Sequence, residues 1–152
     1  MSTSSSAAHR PAAVSTPLGR RVTAGITGGL AGGIVFGMLM AMMGMLVTIA
    51  SMMGSQSPWV GFGIHLMISI VYGLVLTLLF AARFLTSYGR GTLTGLVYGV
   101  VLWIIGPLLI MPMMLGMPLF TFNLTVMLSL MGHMIYGVIL ALVAVRILKA
   151  RA

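Results

Sequence analysis

Two apolar stretches of the sequence each carry one histidine, one serine and one tyrosine in a shared register. They read HLMISIVYG at 65–73 and SLMGHMIYG at 129–137, with His and Ser exchanged. At 3.6 residues per turn, positions 0, 4 and 7 of a helix lie within about 60° of one another. Each set therefore occupies one helix face, where imidazole, hydroxyl and phenol groups could bond one another or a ligand. The six residues, called the polar stripe below, are His65, Ser69, Tyr72, Ser129, His133 and Tyr136.

The polar stripe has two interpretations. A polar side chain in hydrocarbon is costly unless it is paired, so both faces should turn inward. In the favoured interpretation, the histidine of each stretch bonds the serine or the tyrosine of the other and holds two helices together. In the alternative, the two histidines are ligands of haem iron or of copper.

Methionine is the second residue type that could do chemistry, because the chain has 16 of them. Thioether and imidazole groups suit Cu(I), and this alternative takes His65, His133, Met111 and Met114 as ligands. Methionine is also a flexible apolar filler, and the methionines do not gather on one helix face. The favoured expectation is therefore no metal and no cofactor, with copper as the alternative.

The composition excludes several classes of chemistry. The chain has no Asp, no Glu and no Cys. Carboxylates supply most general acids, hard-metal sites and membrane proton relays, and thiols supply disulfides and soft-metal sites. We therefore expect no catalytic residues in this chain and a protein that is not an enzyme.

The elements that must position these residues are membrane helices. The chain is 60% hydrophobic and 5% charged, with a mean hydropathy of +1.18, which no soluble surface allows. Four apolar runs, at about 22–53, 59–82, 91–115 and 123–147, predict an all-α four-helix transmembrane bundle. The first run is longer than a span needs, and two prolines predict a kink or break in the outer half of the third.

The charges predict how the bundle is oriented. All eight basic residues precede the first run, flank the middle loop or follow the fourth run. Basic residues favour the cytoplasmic side, so we expect both termini in the cytoplasm and a location in the inner membrane, with no nucleic acid as partner. Residues 1–19 should form a disordered cytoplasmic tail, and 20–152 a single transmembrane domain within the lipid bilayer.

An internal repeat relates the two halves of the chain, at about 22–83 and 90–147. It predicts two tandem helical hairpins related by a pseudo-twofold axis along the membrane normal, because each half has an even number of spans. The first three glycines of each matching set form bare stripes that suit close helix packing, either within the chain or in a homo-oligomer or larger membrane complex. The matching glycines are Gly29, Gly33, Gly37 and Gly44 in the first half, and Gly91, Gly95, Gly99 and Gly106 in the second.

The stretches GHMIYG at 132–137 and GLVYG at 95–99 resemble a group of small prokaryotic membrane proteins. Proteins of this group carry H-x-x-Y-G in their last span, and YagU-type proteins resemble the group more distantly. The resemblance implies four spans in a bundle and assigns no activity. The sequence thus predicts a non-enzymatic interaction subunit or a small transport-like bundle, with a copper-handling membrane protein as the alternative.

Overall fold

The computed structural model describes residues 17–150, and it folds them into helices with no strand in that part of the chain. Four stretches are long and apolar enough to cross a membrane, so the chain is an all-helical multi-pass membrane protein. Of the predicted disordered tail, residues 1–16 lie outside the described residues, and Leu18 and Gly19 already belong to the first helix. The helices are α1 (Leu18–Met42), α2 (Met45–Ser51), α3 (Pro58–Phe84), α4 (Tyr88–Ile105), a π-helical segment (Gly106–Ile110), α5 (Met111–Leu115) and α6 (Leu124–Lys149).

The helix ends follow from local residue chemistry. Ser87 and Asn123 precede α4 and α6, and their side-chain oxygens accept hydrogen bonds from backbone N–H groups of the first turn. Pro58 opens α3, where its missing N–H costs nothing. Gly116 ends α5 in the left-handed conformation that glycine adopts without strain.

The first apolar run is not one long helix. α1 ends at Met42, and Gly44 turns the chain with a φ of 70°. The excess length forms α2, which packs against the start of α3. At that contact the carbonyl group of Leu46 reaches so close to Gly61 that any Cβ atom there would overlap it.

The third span changes its hydrogen-bond pattern in the half where the sequence predicts a disturbance. Pro107 cannot donate to the helical ladder, and Gly106–Ile110 widens into a π-helical turn before α5 continues the span. A π-helical turn makes the backbone hydrogen bonding irregular. Membrane proteins tolerate such irregularity where the backbone faces protein or a cavity.

α1 lies at the centre of the bundle because glycines expose its backbone on two sides. On one side it packs against α3, where a Cβ atom at Gly29 would lie 2.6 Å from the carbonyl oxygen of Ser69. On the other side it packs against α6, where Cβ atoms at Gly28 and Gly32 would each lie 2.8 Å from a backbone carbonyl oxygen. Without these glycines neither neighbour could approach so closely.

α4 packs against α6 in the same way, and each of the six predicted packing glycines meets another helix of the same chain. Gly95 contacts the backbone of Gly137, and a Cβ atom at Gly91 would lie 2.9 Å from a methyl group of Val145. These six glycines therefore serve helix packing within the chain. α3 and α4 are consecutive in the chain but make few contacts, and a cleft separates them.

The two hairpins pair in different registers. Gly73 of α3 lies against Gly25 of α1, and Gly137 of α6 lies against Gly95 of α4. The sequence repeat, however, matches Gly95 with Gly33 rather than with Gly25. Gly25 and Gly33 are eight positions apart, which amounts to about two helical turns. The two halves match in sequence, but α3 is shifted along α1 by about two turns relative to the position of α6 along α4.

The described basic residues gather at one end of the bundle. Arg20 in the first turn of α1 donates to the carbonyl oxygens of Ile147 and Leu148 at 2.6 and 2.8 Å, which ties the start of α1 to the end of α6. Arg83 ends α3 and Arg90 begins α4, and both line one surface hollow. We call this the basic end and the opposite one the α2–α5 end.

Candidate intramembrane site

A cavity of about 150 Å³ lies between α3 and the α4–α5 stretch, in the half of the bundle toward the α2–α5 end. α1, α2 and α6 also contribute to its walls, which are mostly apolar. Such a volume holds about one benzene-sized group. Five of the six polar-stripe residues line the cavity, whereas Ser129 is buried outside it. The five are His65, Ser69, Tyr72, His133 and Tyr136.

His65 is buried and bonds the backbone of α1. Its Nε2 lies 3.0 Å from the carbonyl oxygen of Gly33. A carbonyl only accepts, so Nε2 carries the proton, and Nδ1 of the neutral ring keeps a free lone pair. Gly33 makes the contact possible because a Cβ atom there would lie 2.7 Å from the side chain of Ser69 and would hold α3 away.

The His133 ring is bonded through its other nitrogen, and its partner belongs to its own helix. Its Nδ1 lies 2.7 Å from the carbonyl oxygen of Ser129, one turn earlier in α6. Nδ1 therefore carries the proton and Nε2 keeps the lone pair. A Cβ atom at Gly106 would lie 4.0 Å from this Nε2, so the free nitrogen points toward the π-helical segment.

The predicted bonds from each histidine to the serine or tyrosine of the other stretch do not form. Both imidazoles bond backbone carbonyl groups instead, because these lie nearer and need no second side chain to be ordered. Phe36 contacts both rings edge to face, with centroid distances of 5.3 Å to His65 and 4.7 Å to His133. This phenyl ring thus packs against both imidazoles.

Two tyrosines make the cross-helix bonds that the histidines do not. The Tyr136 hydroxyl of α6 donates to the carbonyl oxygen of Ser69 at 2.6 Å. The Tyr98 hydroxyl of α4 donates to the carbonyl oxygen of Tyr72 at 2.8 Å, across the cleft. Tyr136 was a predicted site residue and Tyr98 was not.

Phe36 and Tyr98 are the site residues that the sequence predictions missed. They occupy matching positions of the internal repeat. That match is a signal of a shared role, since an aromatic residue beside each glycine stripe is placed to fill or bridge the space between helices. In the structure the Phe36 ring contacts both histidines, and the Tyr98 hydroxyl bridges α4 to α3.

The methionines divide between the cavity and the outer surface. Met111 lines the cavity, as predicted for the copper alternative. Met114 does not, because it lies near the end of the short α5 with 55% of its surface exposed. Among residues 17–150 no group of three or more His, Cys, Asp or Glu side chains could hold a metal. The methionines that line the cavity are Met40, Met45, Met52 and Met111.

Comparison of the chain with protein-family models, with curated proteins and with solved structures found no match. The likeness to YagU-type proteins therefore rests on the short Tyr-Gly motifs alone. What the site does has to be argued from its own geometry.

Proposed function

We propose that this chain is a non-enzymatic membrane protein whose intramembrane cavity binds a small ligand, as in a small transport-like bundle. The observation that carries the proposal is the cavity itself. It gathers five polar-stripe residues from two helices within a mostly apolar wall. Polar groups inside a membrane protein typically mark ligand or ion pathways, because their burial has a cost that packing alone does not require.

The orientation we propose follows from charge. The basic end would face the cytoplasm of a prokaryotic cell with both termini there, so the cavity would lie in the outer half of the inner membrane. The tandem-hairpin proposal rests on the matching glycines and on the shared direction of the two hairpins. Its twofold axis would be approximate, since the glycine pairings differ by about two turns.

Cysteine labelling tests whether the cavity can be reached by a small molecule. The chain has no native Cys, so Ser69→Cys and Thr77→Cys each introduce a single thiol. The two sites are closely matched: both lie buried in α3, and both hydroxyls donate to the carbonyl group four residues earlier, at 2.8 and 3.0 Å. Only Ser69 lines the cavity.

We expect a small neutral methanethiosulfonate, added from the periplasmic side, to modify Ser69→Cys and to leave Thr77→Cys unmodified. Both sites are buried, and they differ in whether the reagent can reach them through the cavity. An unreactive thiol at both positions, or equal reaction at both, would contradict an accessible cavity. The readout is the mass shift of the purified protein.

A specific observation favours Cu(I) handling as the second candidate function. Each histidine donates one ring N–H to a backbone carbonyl, which leaves its other nitrogen as a lone-pair donor. Histidines that bind metals are usually held in this way by a carbonyl or carboxylate on their second nitrogen. Four thioethers line the same cavity, and thioether with imidazole suits Cu(I).

Titration with Cu(I) against a competing chelator separates the two candidates. We expect the double variant His65→Ala/His133→Ala to lose more affinity than the about 10–100-fold typical of losing a group that only orients a ligand. Met111→Leu should weaken binding, whereas Met114→Leu, outside the cavity, should leave it unchanged. Equal Cu(I) affinity in the wild type and the double variant would exclude this function and leave the first proposal standing.

A further inference from the structure

A second groove runs along the cleft between α3 and α4, from the basic end to one turn beyond Tyr98. Its volume is about 410 Å³, and its walls are apolar. Leu76 and Phe80 form the α3 wall, and Val97 and Val101 form the α4 wall. Because the groove lies along the membrane-spanning part of both helices, it faces the hydrocarbon of the bilayer.

The groove opens into a basic hollow at the end of the bundle. Arg83 and Arg90 line this hollow from α3 and α4. Phe84, Leu93 and Thr94 line both the hollow and the groove, so the two form one continuous surface. Together they form an apolar groove with a positively charged opening at the membrane boundary.

No Asp or Glu side chain can neutralise these two arginines, because the sequence has neither residue. Both are exposed, and the contacts they make within the chain are with neutral groups. Arg90 donates to the hydroxyl of Thr86 at 3.4 Å, and Arg83 lies 6.0 Å from the ring centre of Phe84. A guanidinium group matches the oxygens of a phosphate in both charge and geometry.

We propose that this surface binds one anionic phospholipid, with its phosphate at Arg83 and Arg90 and an acyl chain in the α3–α4 groove. The headgroup layer lies where the helices end, and basic residues there attract anionic lipid. From Arg90 to the Tyr98 bridge, α4 rises about 12 Å at 1.5 Å per residue, so the groove accepts the first part of a chain lying parallel to the helices. The site is separate from the cavity and does not depend on the function proposed for it.

Thermal unfolding of the purified full chain in a neutral detergent tests the headgroup contact. We expect phosphatidylglycerol to raise the midpoint more than phosphatidylcholine with the same acyl chains. Arg83→Gln/Arg90→Gln should abolish that difference, whereas Arg146→Gln/Lys149→Gln, which removes two charges from the end of α6, should retain it. Equal stabilisation by the two lipids, or equal loss in both double variants, would overturn the proposal.

A second pair of variants tests the acyl contact. Val97→Trp should fill the groove and weaken the stabilisation by phosphatidylglycerol, although both arginines remain. Val71→Trp is the matched control, because Val71 lies on α3 outside the groove and is exposed to a similar extent, 53% against 56%. Glycerol phosphate alone should have no effect. An unchanged lipid response in Val97→Trp, or equal stabilisation by glycerol phosphate, would show that no acyl chain occupies the groove.

Discussion

Gly95→Ala is expected to destabilise the bundle although it adds a single methyl group. A Cβ atom at Gly95 would overlap the carbonyl oxygen of Gly137, which is backbone and cannot rotate away. α4 must therefore move off α6, and the close backbone contacts that replace a hydrophobic driving force in membranes are lost. Overpacking of this kind costs about 1–3 kcal/mol. Reversible unfolding in mixed micelles, followed by circular dichroism, measures the loss.

Gly63→Ala is the matched control for this prediction. Gly63 lies within α3, and nothing comes within 4 Å of the position that a Cβ atom would take. Alanine is favoured over glycine inside a helix by about 1 kcal/mol, so this variant should be unchanged or more stable. If Gly95→Ala were as stable as Gly63→Ala, the α4–α6 contact would not depend on a bare backbone.

Phe36→Ala is expected to have the largest effect of any substitution in the cavity wall. The phenyl ring is 3% exposed, contacts both histidine rings and lies directly against Gly132. Removing such a side chain from a packed interior costs about 3–5 kcal/mol. Phe80→Ala, at a side chain that is 41% exposed, should cost much less in the same unfolding assay.

A double-mutant cycle makes this prediction specific to the packing of Phe36. Gly132→Ala should destabilise the wild type, because its Cβ atom would overlap the phenyl ring. In the Phe36→Ala background the same change should be harmless, since the space is vacant. Residues in contact typically couple by about 0.5–3 kcal/mol. Additive effects of the two substitutions would contradict the contact.

The sequence was sufficient to predict the spans, because hydropathy and length are properties of each segment alone. The end of the first helix was harder to predict. The apolar run continues to Met53, but Gly44 turns the chain at positive φ, and hydropathy does not register a backbone angle. The disturbance in the third span was predictable, since Pro107 removes a hydrogen-bond donor wherever it lies.

The polar stripe was predictable as a set of residues but not as a set of bonds. Helical spacing places His65 and His133 on two faces, and both side chains line one cavity. The partner of His65 depends on how α3 is placed along α1, which brings the carbonyl of Gly33 to its ring, whereas His133 bonds within its own helix. The repeat does not reveal this shift, because the matching glycines allow two helices to approach closely in more than one register.

The four helix–helix sides of the bundle are not packed equally closely, and this affects how the bundle can deform. The α1–α3, α1–α6 and α4–α6 sides are held by backbone packed on backbone. On the α3–α4 side, the bond from Tyr98 to Tyr72 spans a cleft with few other contacts. The least costly deformation is therefore a parting of α3 from α4 while the other three sides stay rigid. Such a parting would expose the cavity, which lies between α3 and the α4–α5 stretch, to the surrounding lipid.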